Sequence, residues 1–175
     1  MIRSAAPVGG WVAGLPMYDW PEVRDEVDAL WAAIARRLCQ VGVDAPVGLW
    51  RPDHVSELWV APNLLAAQVC GLNVVGSLRG RVEVLGALDY GVEGCQPGDY
   101  RSVVACHAGD PADGLDDFRG RCAAINGRES QSGHAALVDL IAPLAEGGRF
   151  FDEVVETGSH RASIRAVAEG RADLT

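Results

Sequence analysis

The stretch Asn126–Gly133, with the sequence NGRESQSG, lies between a short apolar run and a long helical pattern. The run Cys122–Ile125 predicts a buried strand, and residues 135–144 carry apolar side chains at helical spacing. The first turn of a helix has unpaired N–H groups and about half a positive elementary charge. Two serine hydroxyls at such a turn predict a site for a phosphate-like or carboxylate anion. The simpler interpretation is that Ser130 only caps the helix.

The composition is that of an ordinary globular protein. The 175 residues are 49% hydrophobic and 22% charged, which fits one domain or two small lobes. The net charge of −9 argues against a nucleic-acid partner, because binding the phosphate backbone requires a basic patch. An anion site in this chain must therefore be local, built from amides, hydroxyls and one or two arginines.

The chain shows no segment that resembles a membrane span or a signal peptide. No run approaches the ~20 apolar residues that cross a bilayer, and residues 1–11 lack a long apolar stretch. We expect a cytoplasmic protein if the chain is complete as given. If a signal is supplied elsewhere, we expect a periplasmic or membrane-associated protein.

Strand and helix patterns alternate along the chain, which predicts an α/β protein with a mostly parallel sheet. Strands are expected at residues 11–15, 82–88, 101–106, 122–125 and 154–157. Helices are expected from Pro21, within residues 55–69 with a start or break near Pro62, as one turn at 115–118, after Ser130, and at 161–169. A further strand is expected to begin at residues 172–175.

The candidate ligand-binding side chains mostly lie in loops that follow strands, where open α/β sheets bind their ligands. They are Tyr18, Asp19, Ser130, Gln131, Ser132 and His160, together with Tyr100, which precedes a strand. The imidazole of His160 can donate to an anionic oxygen from the start of its helix. A surface histidine or an N-terminal cap is an equally open interpretation.

Metal and enzyme motifs are absent from the sequence. The five cysteines include no CxxC pair and the four histidines lack zinc-ligand spacing, so we expect no metal and no cofactor. Ser132 with His134 or His160 suggests a nucleophile and its base, but neither serine lies in a Gly-x-Ser-x-Gly elbow. No third group to orient the histidine is evident. We expect that the protein is not an enzyme, and a small hydrolase is kept as a minor alternative.

Five segments occur in an order seen in one family. They are residues 15–20 (LPMYDW), 67–71 (AQVCG), 97–102 (PGDYRS), 126–133 (NGRESQSG) and 158–163 (GSHRAS). Together they resemble the substrate-binding proteins of phosphonate-type ABC transporters, in a group that includes sulfonate-binding proteins and transferrins. The resemblance extends over nearly the whole chain, and the serine-rich helix start followed by Gly-Ser-His is its most specific part.

The resemblance implies a type 2 periplasmic-binding fold, in which two α/β lobes close on an anion in the cleft between them. It implies a first lobe at residues 1–104 and a second at 105–175. It assigns ligand binding to Tyr100, Ser130, Gln131, Ser132 and His160, with Tyr18 and Asp19 facing the ligand from the first lobe. Asp19 either accepts a hydrogen bond from a ligand amine or a protonated anion oxygen, or caps the helix before Pro21.

The function implied by the resemblance is that of a solute-binding component of an ABC transporter. Its ligand would be a small oxyanion such as phosphonate or phosphate, and its partners the permease subunits. A ligand-sensing effector domain of the same fold is the alternative. Because a complete family member continues past a strand at residue 173, we expect a C-terminally truncated chain with an exposed strand edge and apolar surface in its first lobe.

Overall fold

A computed structural model describes residues 9–145 and 147–175. The chain divides into two compact units, of which the first ends at Cys70 and the second comprises Gly71–Thr175. The lobe boundary expected near residue 104 stays a prediction. None of the helices in the described residues is long and apolar enough to cross a membrane.

The first unit is a parallel strand pair packed against a long helix. Its elements are strand β1 (Val12–Gly14), a 3-10 turn (Pro21–Val23), helices α1 (Arg24–Gln40) and α2 (Val55–Trp59), and strand β2 (Leu64–Ala67). Strands β1 and β2 pair in parallel. The proline at the start of the 3-10 turn has no N–H to satisfy, which suits the first helical position. Trp31 and Ala35 of α1 pack with Ala13 and Leu15 to form the core of this unit.

The second unit is built around a central parallel strand pair. Its elements are helix α3 (Gly71–Val75), a 3-10 turn (Leu115–Phe118), strand β3 (Cys122–Ile125), a π-helical turn (Gln131–Ala135), helix α4 (Ala136–Ile141), strand β4 (Glu153–Glu156) and helix α5 (His160–Ala168). Strands β3 and β4 pair in parallel from Cys122 with Glu153 to Ile125 with Glu156.

Residues near Leu174 extend the sheet on the other side of β3. Leu174 bridges Ala123 in parallel and Cys106 in antiparallel fashion. The Asp173 amide donates to the Cys122 carbonyl and the Ala124 amide to the Leu174 carbonyl, both at 2.8 Å. β3 therefore has partners on both edges.

Alternate side chains of β3 enter two different cores, as the two-residue period of a strand requires. Ala123 and Ile125 belong to a cluster that also contains Phe118, Leu137, Phe150, Phe151 and Leu174. Ala124 packs instead with Ala166 and Val167 of α5 and with Ala172. The strand is thus covered on both faces, which is typical of parallel sheets.

Several expectations from the sequence are confirmed. Strand 122–125 is found as expected, β4 and α5 begin and end within one residue of the expected bounds, and the single turn at 115–118 is present. Both strand pairs are parallel. The strand start expected at residues 172–175 is found as the single-residue bridges of Leu174.

Two expected strands are wrong. Residues 82–88 form no strand, and residues 101–106 contribute only the Cys106 bridge. These segments have strand-like sequences but little or no strand pairing, and Leu85 and Val103 are 81% and 75% exposed. The helix expected within residues 55–69 is confirmed as α2, which ends at Trp59 before the expected break near Pro62, and the run after Pro62 forms β2. β-propensity depends on available neighbours, which a sequence pattern does not supply.

We expect Leu174→Ala to destabilise the protein by ~2–5 kcal/mol, because the side chain is fully buried beside β3 and its loss leaves a cavity. Urea unfolding followed by far-UV circular dichroism measures the change. Leu140→Ala is the matched control, since Leu140 is half exposed and its loss should cost only ~0.5 kcal/mol or less. Equal effects of the two substitutions would contradict the inference that the buried side chain of Leu174 stabilises the core beside β3.

Candidate functional site

The candidate site lies where two neighbouring strands of the second unit end. Because β3 and β4 are parallel and in register, Asn126 and Thr157 leave the sheet side by side. The Thr157 amide continues the ladder by donating to the Ile125 carbonyl at 2.9 Å. The two following loops lead directly into helical segments, so the polar side chains of residues 126–132 and 157–160 emerge at one edge.

Ser130 caps the helical segment that follows β3. Its hydroxyl oxygen accepts a hydrogen bond from the Gly133 amide at 3.0 Å, and the Ala135 amide donates to the Ser130 carbonyl at 3.0 Å. This second bond closes a π-helical turn, a rare conformation that is frequent at functional sites. The cap expected at Ser130 is confirmed, and whether the residue does more than cap stays a prediction. The cap uses the hydroxyl oxygen as an acceptor and does not itself consume the hydroxyl proton.

His160 is the first residue of α5, whose first turn is fixed by a network of hydroxyl groups. Ser159 caps the helix by accepting from the Ala162 amide at 3.2 Å. Thr157 Oγ1 lies 2.6 Å from Oγ of Ser163, which is fully buried, and 3.1 Å from the Ile125 carbonyl oxygen. The first turn of α5 is thereby fixed to the end of β3.

The centre of the site is the contact between Ser132 and His160. Ser132 Oγ lies 3.0 Å from Nε2 of His160, and Asn126 Nδ2 lies 3.4 Å from the same nitrogen. A Cβ atom at residue 133 would overlap Asn126 Oδ1 and come within 2.9 Å of Cε1 of His160. Gly133 therefore permits the close approach of the Asn126 amide and the imidazole.

Burial lowers the pKa of His160 below its ordinary value of 6.5. The physical cause is desolvation, which disfavours the charged imidazolium. The neighbouring charged groups include Arg128 and Glu156, whose side chains approach to 3.8 Å. Partial desolvation therefore favours the neutral imidazole over the imidazolium at this position.

Gln131 and Tyr100 are the remaining candidate residues of the second unit. Gln131 is the first residue of the π-helical turn, directly between the two serines. Tyr100 lies in an irregular segment with about half of its side chain exposed.

Asp19 and Tyr18 belong to the first unit, beyond the end of β1. Both carboxylate oxygens of Asp19 accept hydrogen bonds from Arg51, through Nε and, at 3.0 Å, through Nη2. No side chain caps the 3-10 turn that starts after Trp20, so the capping interpretation of Asp19 is wrong. Tyr18 is exposed and contacts Trp20 edge to face at 6.3 Å between ring centroids.

A cavity of about 220 Å³ adjoins this ion pair within the first unit. Arg24 and Arg51 contribute the positive charges of its wall, with Trp50 beside them. Arg51 also donates to Asp28 at 2.8 Å, and the Asp19 hydrogen bond raises the pKa of its guanidinium further above the ordinary value. Asp19 thus holds an arginine rather than presenting a free carboxylate.

The contributions of Asn126, Gly133 and Thr157 to the site were missed by the sequence reasoning. Asn126 and Gly133 are the first and last residues of the serine-rich stretch, and only the folded structure shows that they are in contact. The signal available for Asn126 was its position directly after a buried strand. In the described residues, no group of three or more histidine, cysteine or acidic side chains is placed to bind a metal.

A family model described as the periplasmic substrate-binding protein of phosphonate ABC transporters matches residues 74–175, more than half of the chain. The match includes Tyr100, the serine-rich turn and His160, and it confirms the resemblance over those residues. The segments at residues 15–20 and 67–71 precede the match, and their assignment stays a prediction. No curated protein matches the chain significantly.

We expect the imidazole of His160 to titrate below pH 6.5, because its burial penalises the imidazolium. The unfolded state regains the ordinary pKa and binds the proton first, so the contribution of His160 lowers the free energy of unfolding as the pH falls below about 6.5. NMR titration of its Cε1 proton measures the midpoint, with His160→Gln identifying the resonance. A midpoint at or above 6.5 would contradict the expected desolvation of the imidazole.

Proposed function

The chain belongs to the family of periplasmic substrate-binding proteins of phosphonate ABC transporters, and on that premise we propose that it captures a small oxyanion such as phosphonate or phosphate. The partners that follow are the permease subunits of the transporter, and the place of action is the periplasm. The two-lobed arrangement with a boundary near residue 104 is part of this proposal.

The observation that carries the proposal is the pairing of Ser132 with His160 beside the Ser130 turn. Ser130, Gln131 and Ser132 lie at the start of a helical segment. In other proteins, the backbone amides at the start of a helix point toward bound anions. In this proposal the Ser130 hydroxyl donates its proton to the anion, while its oxygen caps the turn by accepting from the Gly133 amide. Hydroxyls and amides supply this binding without a basic patch, which suits a chain with a net charge of −9.

The other ligand contacts proposed by the family resemblance are Tyr100, Tyr18 and Asp19. The ion pair with Arg51 changes the role proposed for Asp19. Both of its oxygens are occupied by the guanidinium, so Asp19 acts by orienting Arg51 and not by accepting from a ligand amine.

Binding rather than hydrolysis fits the geometry of the Ser132 and His160 pair. A serine nucleophile needs a histidine whose second nitrogen is oriented by a third group. The contacts of His160 to Ser132 and Asn126 both run through Nε2, and none of the carboxylates in the described part of the chain is hydrogen-bonded to its Nδ1. Substrate-binding proteins of ABC transporters are not enzymes, in agreement with this arrangement.

We expect Ser132→Ala to weaken oxyanion binding by roughly ten- to a hundredfold, because it removes a hydrogen bond between the protein and the anionic ligand worth ~1.5–3 kcal/mol. Isothermal titration calorimetry with methylphosphonate and with inorganic phosphate measures the loss. The double variant Ser130→Ala/Ser132→Ala should bind more weakly still.

The matched control is Ser77→Ala, an exposed serine of the same unit that lies outside the site. Its affinity should equal that of the parent. If the double serine variant binds every oxyanion as tightly as the parent, the anion is bound elsewhere and the proposal fails.

A further inference from the structure

The hydrogen bonds at the centre of the site have a direction that is set by Asn126. Its carboxamide has one end that only donates and one end that only accepts. The donating Nδ2 faces Nε2 of His160 at 3.4 Å, a long contact, and the accepting Oδ1 is buried against Gly133 without a partner.

The reverse orientation of this amide is the less favourable one. It would place the NH₂ group, with its two donors, in the buried space beside Gly133. Unpaired buried N–H groups are rarer in proteins than under-satisfied carbonyl oxygens. The orientation with Nδ2 toward His160 therefore prevails, and Nε2 is the acceptor of that contact.

An accepting Nε2 fixes the protonation of the imidazole. The ring is neutral and carries its proton on Nδ1, and burial favours the neutral form. The charged and titratable side chains on the surrounding segments are Arg128, Glu129, His134, Glu156 and Arg161. Arg128 approaches Glu156 to 3.8 Å, and His134 donates from Nδ1 to the Arg128 carbonyl at 2.8 Å.

The state of His160 decides what Ser132 offers to a ligand. A serine hydroxyl has one proton, and Ser132 Oγ, at 3.0 Å, is the closer of the two donors that share the lone pair of the unprotonated Nε2. When that proton is donated to Nε2, the oxygen retains only lone pairs on its other side. It repels a fully ionised oxygen but accepts a hydrogen bond from a hydroxyl of the ligand.

We propose that Asn126 is a specificity-determining residue that makes this site select oxyanions which still carry an acidic proton. The ligand class is a singly protonated phosphonate, phosphate or phosphite, whose P–OH donates to Ser132 while its ionised oxygens face Ser130 and the turn amides. Sulfonates and sulfate, which have no such proton, are disfavoured. The inference rests on the proposed function, whose anion site it refines.

Calorimetry with methylphosphonate and methanesulfonate tests the selection, because the two differ chiefly in the acidic proton. On the acidic side of its second ionisation, methylphosphonate should bind the parent protein at least about tenfold more tightly than methanesulfonate. The ratio should fall toward one at a pH well above that ionisation, where methylphosphonate is a dianion.

Asn126→Asp is the decisive variant. A carboxylate accepts from Nε2–H, so it reverses the direction of the hydrogen bond between residue 126 and His160. A protonated Nε2 no longer accepts from Ser132, so Ser132 donates its proton to the ligand, and the ratio should fall by about tenfold or more. Asn126→Leu keeps the side-chain shape without a donor and should bring the ratio toward one. Ser77→Ala, an exposed serine of the same unit outside the site, should leave the ratio unchanged.

Nitrogen-15 NMR of the imidazole gives a readout that needs no ligand. Neutral His160 should be protonated on Nδ1 in the parent and on Nε2 in Asn126→Asp. An Nε2-protonated parent, or a ratio that Asn126→Asp leaves unchanged while oxyanions still bind, overturns the role of Asn126 and leaves the proposed function standing. A parent that binds neither methylphosphonate nor phosphate overturns the proposed function and the selectivity with it.

Discussion

Pairing on both edges of β3 is the constraint on which the second unit depends. Strand β4 lies in register along one edge, and the backbone around Leu174 closes the other with two hydrogen bonds of 2.8 Å. A strand held in this way has no freedom to slip, because a shift of one residue would exchange the two cores that its side chains enter. The loops at Asn126 and Thr157 consequently leave the sheet at fixed positions, and the site inherits its geometry from the sheet.

The site is compact because one residue has no side chain. Gly133 lets the Asn126 amide and the His160 ring approach the π-helical turn more closely than a Cβ atom allows. The π-helical turn places Ser132 against His160, and Ser130 caps that turn. Packing, capping and ligand chemistry are therefore not separable here, since the same few atoms satisfy all three.

Features determined by neighbouring residues were predictable from the sequence. The apolar run of β3, the serine cap and the periodicity of α5 each depend on a short window, and each is found. The strands expected at residues 82–88 and 101–106 depend on partners elsewhere in the chain, and apart from the Cys106 bridge they do not form. The site residues Ser130, Gln131, Ser132 and His160 were identified as candidates from the sequence, whereas the contact of Asn126 with His160 joins residues 34 positions apart.

Asp19 shows why a residue type alone does not define a role. A carboxylate after a strand is equally suited to a ligand amine, a helix cap or an arginine, and local sequence does not rank these partners. Arg51, 32 residues away, occupies both oxygens. A bidentate guanidinium pair satisfies a carboxylate more fully than a single amine does. The same reasoning applies to Asn126. Its carboxamide can in principle face His160 with either end, and the surroundings at Gly133 and His160 favour the end that does so.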